Sequence, residues 1–137
     1  MRILIDTNVL ISAALFPNSI PARAFDLAVS GHYVALVSEQ NIEEMHRIFQ
    51  KKFPHKQDVL ERFLASSMLS WEIIPVPAEE VAVENAIRDI NDRPILRAAV
   101  LAGADFLLTG DKDFLEANIS KPKVLSPAEF VQGYGVA

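Results

Sequence analysis

Short apolar segments alternate along the chain with longer segments in which apolar residues recur every three or four positions. The apolar segments predict strands over residues 2–5, 33–37, 71–74 and 106–109, and a weaker fifth strand over 123–125. The first and fourth are continuously apolar, which is typical of strands buried on both faces of a parallel sheet.

The longer segments predict helices over residues 22–29, 39–49, 57–68, 79–90 and 92–102, and a last helix that begins at Ser126. Ser38 is a good N-cap for the second of these helices, and Gly31 and Gly103 are stop signals. Strands that alternate with helices predict an α/β protein, with one domain over residues 1–137. The expected architecture is a three-layer sandwich around a mostly parallel sheet of four to five strands.

Composition narrows the functional classes. There are 13 lysines and arginines against 18 acids, so the net charge is −5, which disfavours a protein that binds nucleic acid through bulk charge alone. The absence of cysteine removes disulfides, thiolate metal sites and cysteine nucleophiles. No apolar run approaches the roughly 18 residues of a membrane span, and Asp6 interrupts the apolar N-terminus. We therefore expect a cytoplasmic protein without a membrane segment.

Two aspartates come directly after buried strands. Asp6 follows the first strand, and Asp111 follows the fourth strand and Gly110, with Asp113 two residues later. Ligands of parallel sheets bind beyond the carboxyl ends of the strands, so these acids are candidates for one shared site. Each could instead cap the helix that follows it. Two aspartates at equivalent strand ends favour a site more strongly than either does alone.

Two further acids have ordinary structural explanations. Asp92 stands where Arg93 and a proline open a helix, and the pattern favours a helix cap there. Glu44 lies off the apolar stripe of its helix, where a solvated face is the default. Its neighbour Glu43 has Arg47 four residues later as an ion-pair partner. The pattern alone promotes neither glutamate to a functional role.

Several carboxylates in a chain without cysteine indicate chemistry with hard cations. Mg²⁺ and Mn²⁺ prefer carboxylate and water oxygens. The three histidines (His32, His46 and His55) have no metal-ligand spacing, and we expect them on the surface. Clustered carboxylates stay ionised only when positive charge lies among them. Two bound divalent ions would bring the net charge from −5 to −1, which would remove most of the electrostatic objection to a polyanionic substrate.

An ordered set of motifs resembles the PIN domain family of small α/β metal-dependent nucleases, which includes the VapC-like toxins of prokaryotic toxin–antitoxin pairs. The motifs are Asp6-Thr7-Asn8-Val9-Leu10, the segment from Ser38 to Glu44, Asp92-Arg93-Pro94-Ile95-Leu96, and Thr109-Gly110-Asp111-Lys112-Asp113-Phe114. Each motif is weak alone, but the set runs over nearly the whole chain in the expected order and spacing. Pro17 and Pro21 after the first motif resemble the subgroup described as toxin components.

The resemblance implies a set of catalytic metal ligands, which are Asp6, Glu44, Asp92 and Asp111, with Asp113 as an outer ligand and Glu43 as the alternative register to Glu44. It also implies that Thr7, Asn8 and Thr109 support the site through hydrogen bonds. Arg93 departs from the family pattern, because a second acid often follows the Asp92 position. This change could favour a phosphate contact or weaken metal binding.

The same resemblance implies a Mg²⁺- or Mn²⁺-dependent endoribonuclease that would hydrolyse single-stranded RNA and leave a 5′-phosphate and a 3′-hydroxyl. It would be the toxin of a type II toxin–antitoxin pair, with a cognate antitoxin as partner and a homodimer as its own assembly.

Contacts with RNA require positive charge. The densest basic stretch runs from Arg47 to Lys56 and contains Lys51 and Lys52, and a solvated face explains it equally well. Arg93, Arg97 and Lys112 lie beside proposed ligands in the sequence. Trp71 and the eight phenylalanines are expected in the core rather than as platforms for stacked bases.

Two other functions remain open at this point. The chain could be a catalytically weak or inactive PIN-like scaffold that binds RNA or a protein, which Arg93 favours weakly and the four matching acids disfavour. It could also be a phosphatase or phosphoryl-acceptor domain of similar topology. Those domains place a second aspartate two residues after the nucleophile, and here that position is Asn8.

Overall fold

The structure is a computed structural model that describes residues 1–135, and its strands and helices alternate along the chain. The strands are β1 (Arg2–Ile5), β2 (Val34–Ser38), β3 (Glu72–Ile74), β4 (Phe106–Leu108) and β5 (Lys123–Leu125). The helices are α1 (Thr7–Leu15), α2 (Ile20–Ala28), α3 (Glu39–Lys52), α4 (Gln57–Ser67), α5 (Arg93–Leu101), α6 (Lys112–Leu115) and α7 (Pro127–Tyr134). Short 3-10 turns occupy Pro54–Lys56 and Ala82–Ala86.

The five strands form one all-parallel sheet in the order β3-β2-β1-β4-β5. The predicted α/β class and parallel sheet are therefore confirmed, and each predicted strand end lies within one residue of the observed one. The chain adds β2 and β3 on one side of β1 and then crosses to add β4 and β5 on the other side. This reversal opens a crevice at the carboxyl ends of β1 and β4, which is where open parallel sheets bind ligands.

Helices cover both faces of the sheet, and β1 shows why. Ile3 and Ile5 point to one face and belong to a core cluster with residues of α1, α2, α3, α4 and α7, whereas Leu4 points to the other face and packs with residues of α5. All three are fully buried. A strand buried on both faces must be continuously apolar, as this one is.

The predicted helix over residues 79–90 is wrong. The segment contains the 3-10 turn Ala82–Ala86 and bends around it, and Ile87 is extended with φ −91° and ψ 121°. The Glu84 carboxylate is buried and pairs with Arg97 of α5, with an Oε1–Nη2 distance of 2.8 Å. It also accepts a hydrogen bond from the Val81 amide at 3.0 Å. This tertiary ion pair overrides a local preference for helix.

The aromatic prediction holds for most of the side chains. Trp71 is buried and lies edge-on to Phe25 and Phe63, in the first core cluster. Phe16 contradicts the prediction, since it is 60% exposed, whereas Phe53 and Phe63 are partly buried and pack against the first core cluster. The three histidines are exposed, as expected. Within residues 1–135, no helix is long and apolar enough to cross a membrane.

Candidate active site

A cavity of about 640 Å³ opens at the carboxyl edge of the sheet. Asp6, Glu44, Asp92 and Asp111 all line it, although they come from four distant segments of the chain. Asp6 follows β1, Glu44 lies on α3, Asp92 precedes α5, and Asp111 follows β4. The structure thus brings together the four acids that the resemblance singled out.

Asp6 is the most enclosed of these acids, with 6% of its surface exposed. Its Oδ2 accepts hydrogen bonds from the Thr109 hydroxyl at 2.8 Å and the Asn8 side-chain amide at 3.1 Å. Its Oδ1 accepts from the Thr7 backbone amide at 2.8 Å, so this residue also caps α1. The helix-cap interpretation of Asp6 is therefore confirmed, and the same carboxylate also lines the cavity.

Glu44 is oriented by a chain of polar side chains between α1 and α3. The Asn41 side-chain amide donates to the Thr7 hydroxyl oxygen at 2.7 Å, and that hydroxyl donates to Glu44 Oε2 at 3.2 Å. Asn41 is fully buried because it also completes a capping box with Ser38 at the start of α3. Glu43 is exposed and does not line the cavity, which favours the Glu44 register.

Asn41 was not predicted from the sequence as a supporting residue. The available signal was its position three residues after Ser38, where a capping box more often has Glu or Gln. The predicted ion pair of Glu43 with Arg47 is also not among the salt bridges within residues 1–135.

The turn after β4 is held against α1. The Asn8 side-chain oxygen accepts a hydrogen bond from the Gly110 amide at 2.9 Å, and the Thr109 hydroxyl oxygen accepts from the Asp111 amide at 3.0 Å. Asp111 Oδ1 in turn accepts from the Asp113 amide at 2.9 Å and caps the short α6. The hydrogen bonds predicted for Thr7, Asn8 and Thr109 are thus present, and each connects to an acid of the cavity.

Asp92 occupies the N-cap position of α5, but its side chain makes no capping hydrogen bond. The cap interpretation, which the pattern favoured, is therefore wrong for this carboxylate. Partial burial and then repulsion by Asp111 and Asp89 raise the pKa of Asp92 to about 7. The carboxylate thus lacks a local structural role and is poorly compensated in charge.

Burial also raises the pKa of Asp6, to about 6, with added repulsion from Glu44 and Asp111. The hydrogen bonds from Thr109 and the Thr7 amide act in the opposite direction but do not offset the loss of hydration. Positive charge placed among these carboxylates would reverse both effects.

A second acidic group adjoins the cavity through Asp92. One carboxylate oxygen each of Asp89, Asp92 and Asp113 lie within 4.8 Å of one another. Asp113 also pairs with the Arg88 guanidinium at 3.0 Å, and it belongs to this group rather than to the cavity lining. Asp89 was missed in the sequence, where its only signal is a spacing of three residues before Asp92, across the turn that opens α5.

The lysines and arginines that were predicted to contact RNA lie in different environments. Lys52 lines the cavity, whereas Lys51 and Lys112 are exposed and do not line it. The Arg93 guanidinium donates from Nε to the Ile87 carbonyl at 2.9 Å, and Arg97 is engaged in the ion pair with Glu84. Both arginines therefore fix the segment before α5, and neither lines the cavity.

The donor set fits a hard divalent cation. The groups that face the cavity from its acidic end are carboxylate oxygens supported by hydroxyls and amides, and the chain has no cysteine. Such oxygen ligands suit Mg²⁺ or Mn²⁺ rather than thiophilic metals. The raised pKa values of Asp6 and Asp92 are the physical sign of carboxylates that lack a counter-charge.

Comparison with known proteins finds a matching family model and a similar sequence. A family model described as a PIN domain matches residues 2–113. An uncharacterized protein from Methanocaldococcus jannaschii is 28% identical, over 98% of this chain and 92% of that protein.

Three solved structures share the fold. One is VapBC2 from Rickettsia felis, in a complex with a DNA fragment from the VapBC2 promoter. It superposes with a TM-score of 0.68 at 19% identity, over 92% of this chain and 98% of that chain. FitAcB from Neisseria gonorrhoeae gives a TM-score of 0.65 at 25% identity, with the same coverage of 92% and 98%. A protein from Pyrobaculum aerophilum gives 0.62 at 15% identity, over 97% and 94%. The likeness extends over nearly the whole length of each chain.

Proposed function

The chain belongs to the PIN domain family, and from that premise we propose that it is a divalent-cation-dependent endoribonuclease that hydrolyses phosphodiester bonds in single-stranded RNA. PIN domains are generally nucleases. The observation that carries the proposal is that Asp6, Glu44, Asp92 and Asp111 line one cavity at the carboxyl edge of the sheet. Nuclease chemistry accounts for four acids that converge at one cavity.

Asp6, Glu44, Asp92 and Asp111 would hold Mg²⁺ or Mn²⁺, with Asp113 as an outer ligand, since its carboxylate lies within 4.8 Å of that of Asp92. A cation bound there would lower the pKa of a coordinated water and stabilise the charge of the reacting phosphate.

The chain's own residues hold the carboxylates in place before any ligand arrives. Asp6 is fixed on both oxygens by Thr109, Asn8 and the Thr7 amide. Glu44 receives its orientation from the Thr7 hydroxyl, which the buried Asn41 amide positions in turn. Carboxylates fixed in this way need little reorganisation on binding, which is the condition for strong electrostatic catalysis.

We further propose that the protein is the toxin of a type II toxin–antitoxin pair and that it acts as a homodimer with a cognate antitoxin as partner. The support is the resemblance of the motifs to VapC-like toxins, together with the fold shared with VapBC2 and FitAcB. Co-purification of the protein with the product of a small adjacent reading frame, and loss of RNA cleavage in that complex, would test this assignment.

The nuclease proposal is tested by incubating the protein with a panel of single-stranded RNAs in Mg²⁺, in Mn²⁺ and in chelator. Cleavage should require the metal and should be abolished by Asp6→Asn. The matched control is Asp26→Asn, since Asp26 is exposed on α2 and outside the cavity. Full activity of the Asp6 variant, or equal cleavage in chelator, would refute the proposal. Absence of both cleavage and a Mn²⁺-dependent rise in melting temperature would favour the inactive scaffold instead.

A further inference from the structure

The wall of the cavity that α3 forms changes in charge and polarity along the helix. Glu44, Ile48 and Lys52 are spaced four residues apart, so they lie on one face of the helix, and all three line the cavity. At a rise of 1.5 Å per residue, Lys52 lies about 12 Å along the helix from Glu44. The helix therefore presents an acid, then an apolar side chain, then a cation.

An aromatic ring extends the apolar part of this wall. Phe53 is the C-cap residue of α3 and lines the cavity, and its ring centroid lies 5.6 Å from that of the fully buried Phe49. Phe53 itself is only half-buried, so one side of the ring packs on the core and the rest remains accessible. Ile11 of α1 lines the same cavity. The result is an apolar, partly aromatic surface beside the carboxylates.

We propose that Phe53 and Ile48 form a nucleobase subsite, in which an unstacked base of single-stranded RNA lies on the Phe53 ring while Lys52 contacts a neighbouring phosphate. This inference rests on the proposed function, because the scissile phosphate is taken to lie at the carboxylates. Single-stranded RNA is recognised mainly by stacking its splayed bases on aromatic side chains.

The charge order along α3 favours RNA over an apolar peptide as the occupant. A phosphodiester chain presents a phosphate, a base and another phosphate in succession, and the wall presents an acidic metal site, an apolar surface and a lysine in the same succession. The cavity of about 640 Å³ is within the usual range for small-ligand pockets, so it accommodates a nucleotide. An apolar peptide would leave Lys52 without a partner of opposite charge.

The experiment measures binding and cleavage separately. Binding of a labelled single-stranded RNA is followed by fluorescence anisotropy with Ca²⁺ in place of Mn²⁺, and cleavage is followed with Mn²⁺. Phe53→Ala should weaken binding about tenfold, the order expected for the loss of one stacked base, and Phe53→Trp should restore it, whereas Phe53→Leu should not. In cleavage, Phe53→Ala should raise KM and leave kcat nearly unchanged, because stacking acts equally before and during the reaction.

Lys52→Gln provides an independent test, since Lys52 is exposed and its replacement leaves the core intact. The slope of log affinity against log salt should decrease by about 0.7, as expected for one phosphate contact on a single strand. The matched control is Lys121→Gln, which makes the same charge change at an exposed position before β5, at the opposite edge of the sheet. The control should leave the slope unchanged.

An RNA that lacks one base can be combined with Phe53→Ala in a double-mutant cycle between RNA and protein. An abasic nucleotide at one position next to the cleaved phosphate should weaken binding to the wild type, and the same abasic RNA should bind Phe53→Ala no more weakly than the intact RNA does. The proposal fails if the abasic effect is the same in both proteins, or if no position next to the cleavage site shows one. RNA that binds with these couplings but is never cleaved would overturn the nuclease proposal and leave the subsite standing. Absence of RNA binding would overturn both.

Discussion

Replacing Asp6 by asparagine is expected to stabilise the protein against unfolding in the absence of divalent cations, and to remove its stabilisation by Mn²⁺. The reason is that the fold buries this carboxylate among other acids. Its pKa rises from 3.8 to about 6, so the folded state disfavours the charged form that is present at pH 7.

The size of the effect follows from two opposing contributions. A shift of about two pKa units corresponds to about 3 kcal/mol of destabilisation by the charged carboxylate at pH 7. An asparagine has only one acceptor oxygen, so the two hydrogen bonds that Thr109 and Asn8 donate to Oδ2 are lost, at about 1 kcal/mol each. The net gain for Asp6→Asn is about 1 kcal/mol, or about 3 °C in melting temperature for a chain of this length.

The same pKa shift of Asp6 determines how the stability of the protein depends on pH. Because the pKa of Asp6 is higher in the folded state than its usual 3.8, the folded state binds the proton more tightly. The stability that the protonated form provides is complete below pH 3.8 and is lost as the pH rises through about 6. The advantage of the asparagine variant should therefore grow over this interval and level off above it.

The assay is thermal unfolding in chelator and in Mn²⁺, between pH 5 and 8. At a concentration one hundred times its dissociation constant, Mn²⁺ should stabilise the wild type by about 2.7 kcal/mol and the Asp6 variant not at all. Asp26→Asn again serves as the exposed control. A variant that is less stable than the wild type in chelator at pH 7, or one that keeps the full response to Mn²⁺, would refute the reasoning.

Three further predictions concern single residues. Glu44→Gln should lower metal-dependent cleavage of single-stranded RNA by about 100-fold or more, whereas Glu43→Gln should change it little, because only Glu44 lines the cavity; equal losses in a cleavage time course would contradict the assigned register. Thr109→Val should destabilise the protein by about 1 to 3 kcal/mol in urea unfolding, because it removes both a donor to Asp6 and an acceptor for the Asp111 amide, and Thr109→Ser should retain most of the stability. Glu84→Gln should cost about 3 kcal/mol near neutral pH, since it breaks a buried ion pair. Since Arg97 holds the pKa of Glu84 near 2, the stability that this pair contributes is present above pH 4.5 and is lost as the pH falls toward 2. A stability difference between the Glu84 variant and the wild type that grows on acidification would therefore contradict this prediction.

The sequence was most informative where one physical cause dominated. Continuous apolar runs predicted β1 and β4 because burial on both faces of a parallel sheet leaves no position for a polar side chain. The parallel arrangement then predicted that Asp6 and Asp111 meet at one edge, as both line the cavity. No comparable local rule applies to Glu44, whose identification required the resemblance to known nucleases.

The predictions failed where a contact between distant residues decided the conformation. Val83 and Ile87 are four residues apart and fit a helical face, but the burial of Glu84 against Arg97 bends the segment instead. The half-buried position of Phe53 was missed for a similar reason, since its exposure depends on the walls that other elements place around the cavity. Patterns along one segment carry no information about such pairings.

The arginines and the lysine around the cavity do not neutralise its acids. Arg93 donates to the Ile87 carbonyl, and Arg88 pairs with Asp113. Lys52 lines the cavity, but it lies about 12 Å along α3 from Glu44, beyond the Debye length at physiological salt of about 8 Å. The hydrogen bonds to Asp6 are numerous, yet its pKa stays raised, so dipoles alone do not compensate the charge. A bound divalent cation would supply the missing charge, and this is the electrostatic reason for expecting metal-dependent chemistry at this site.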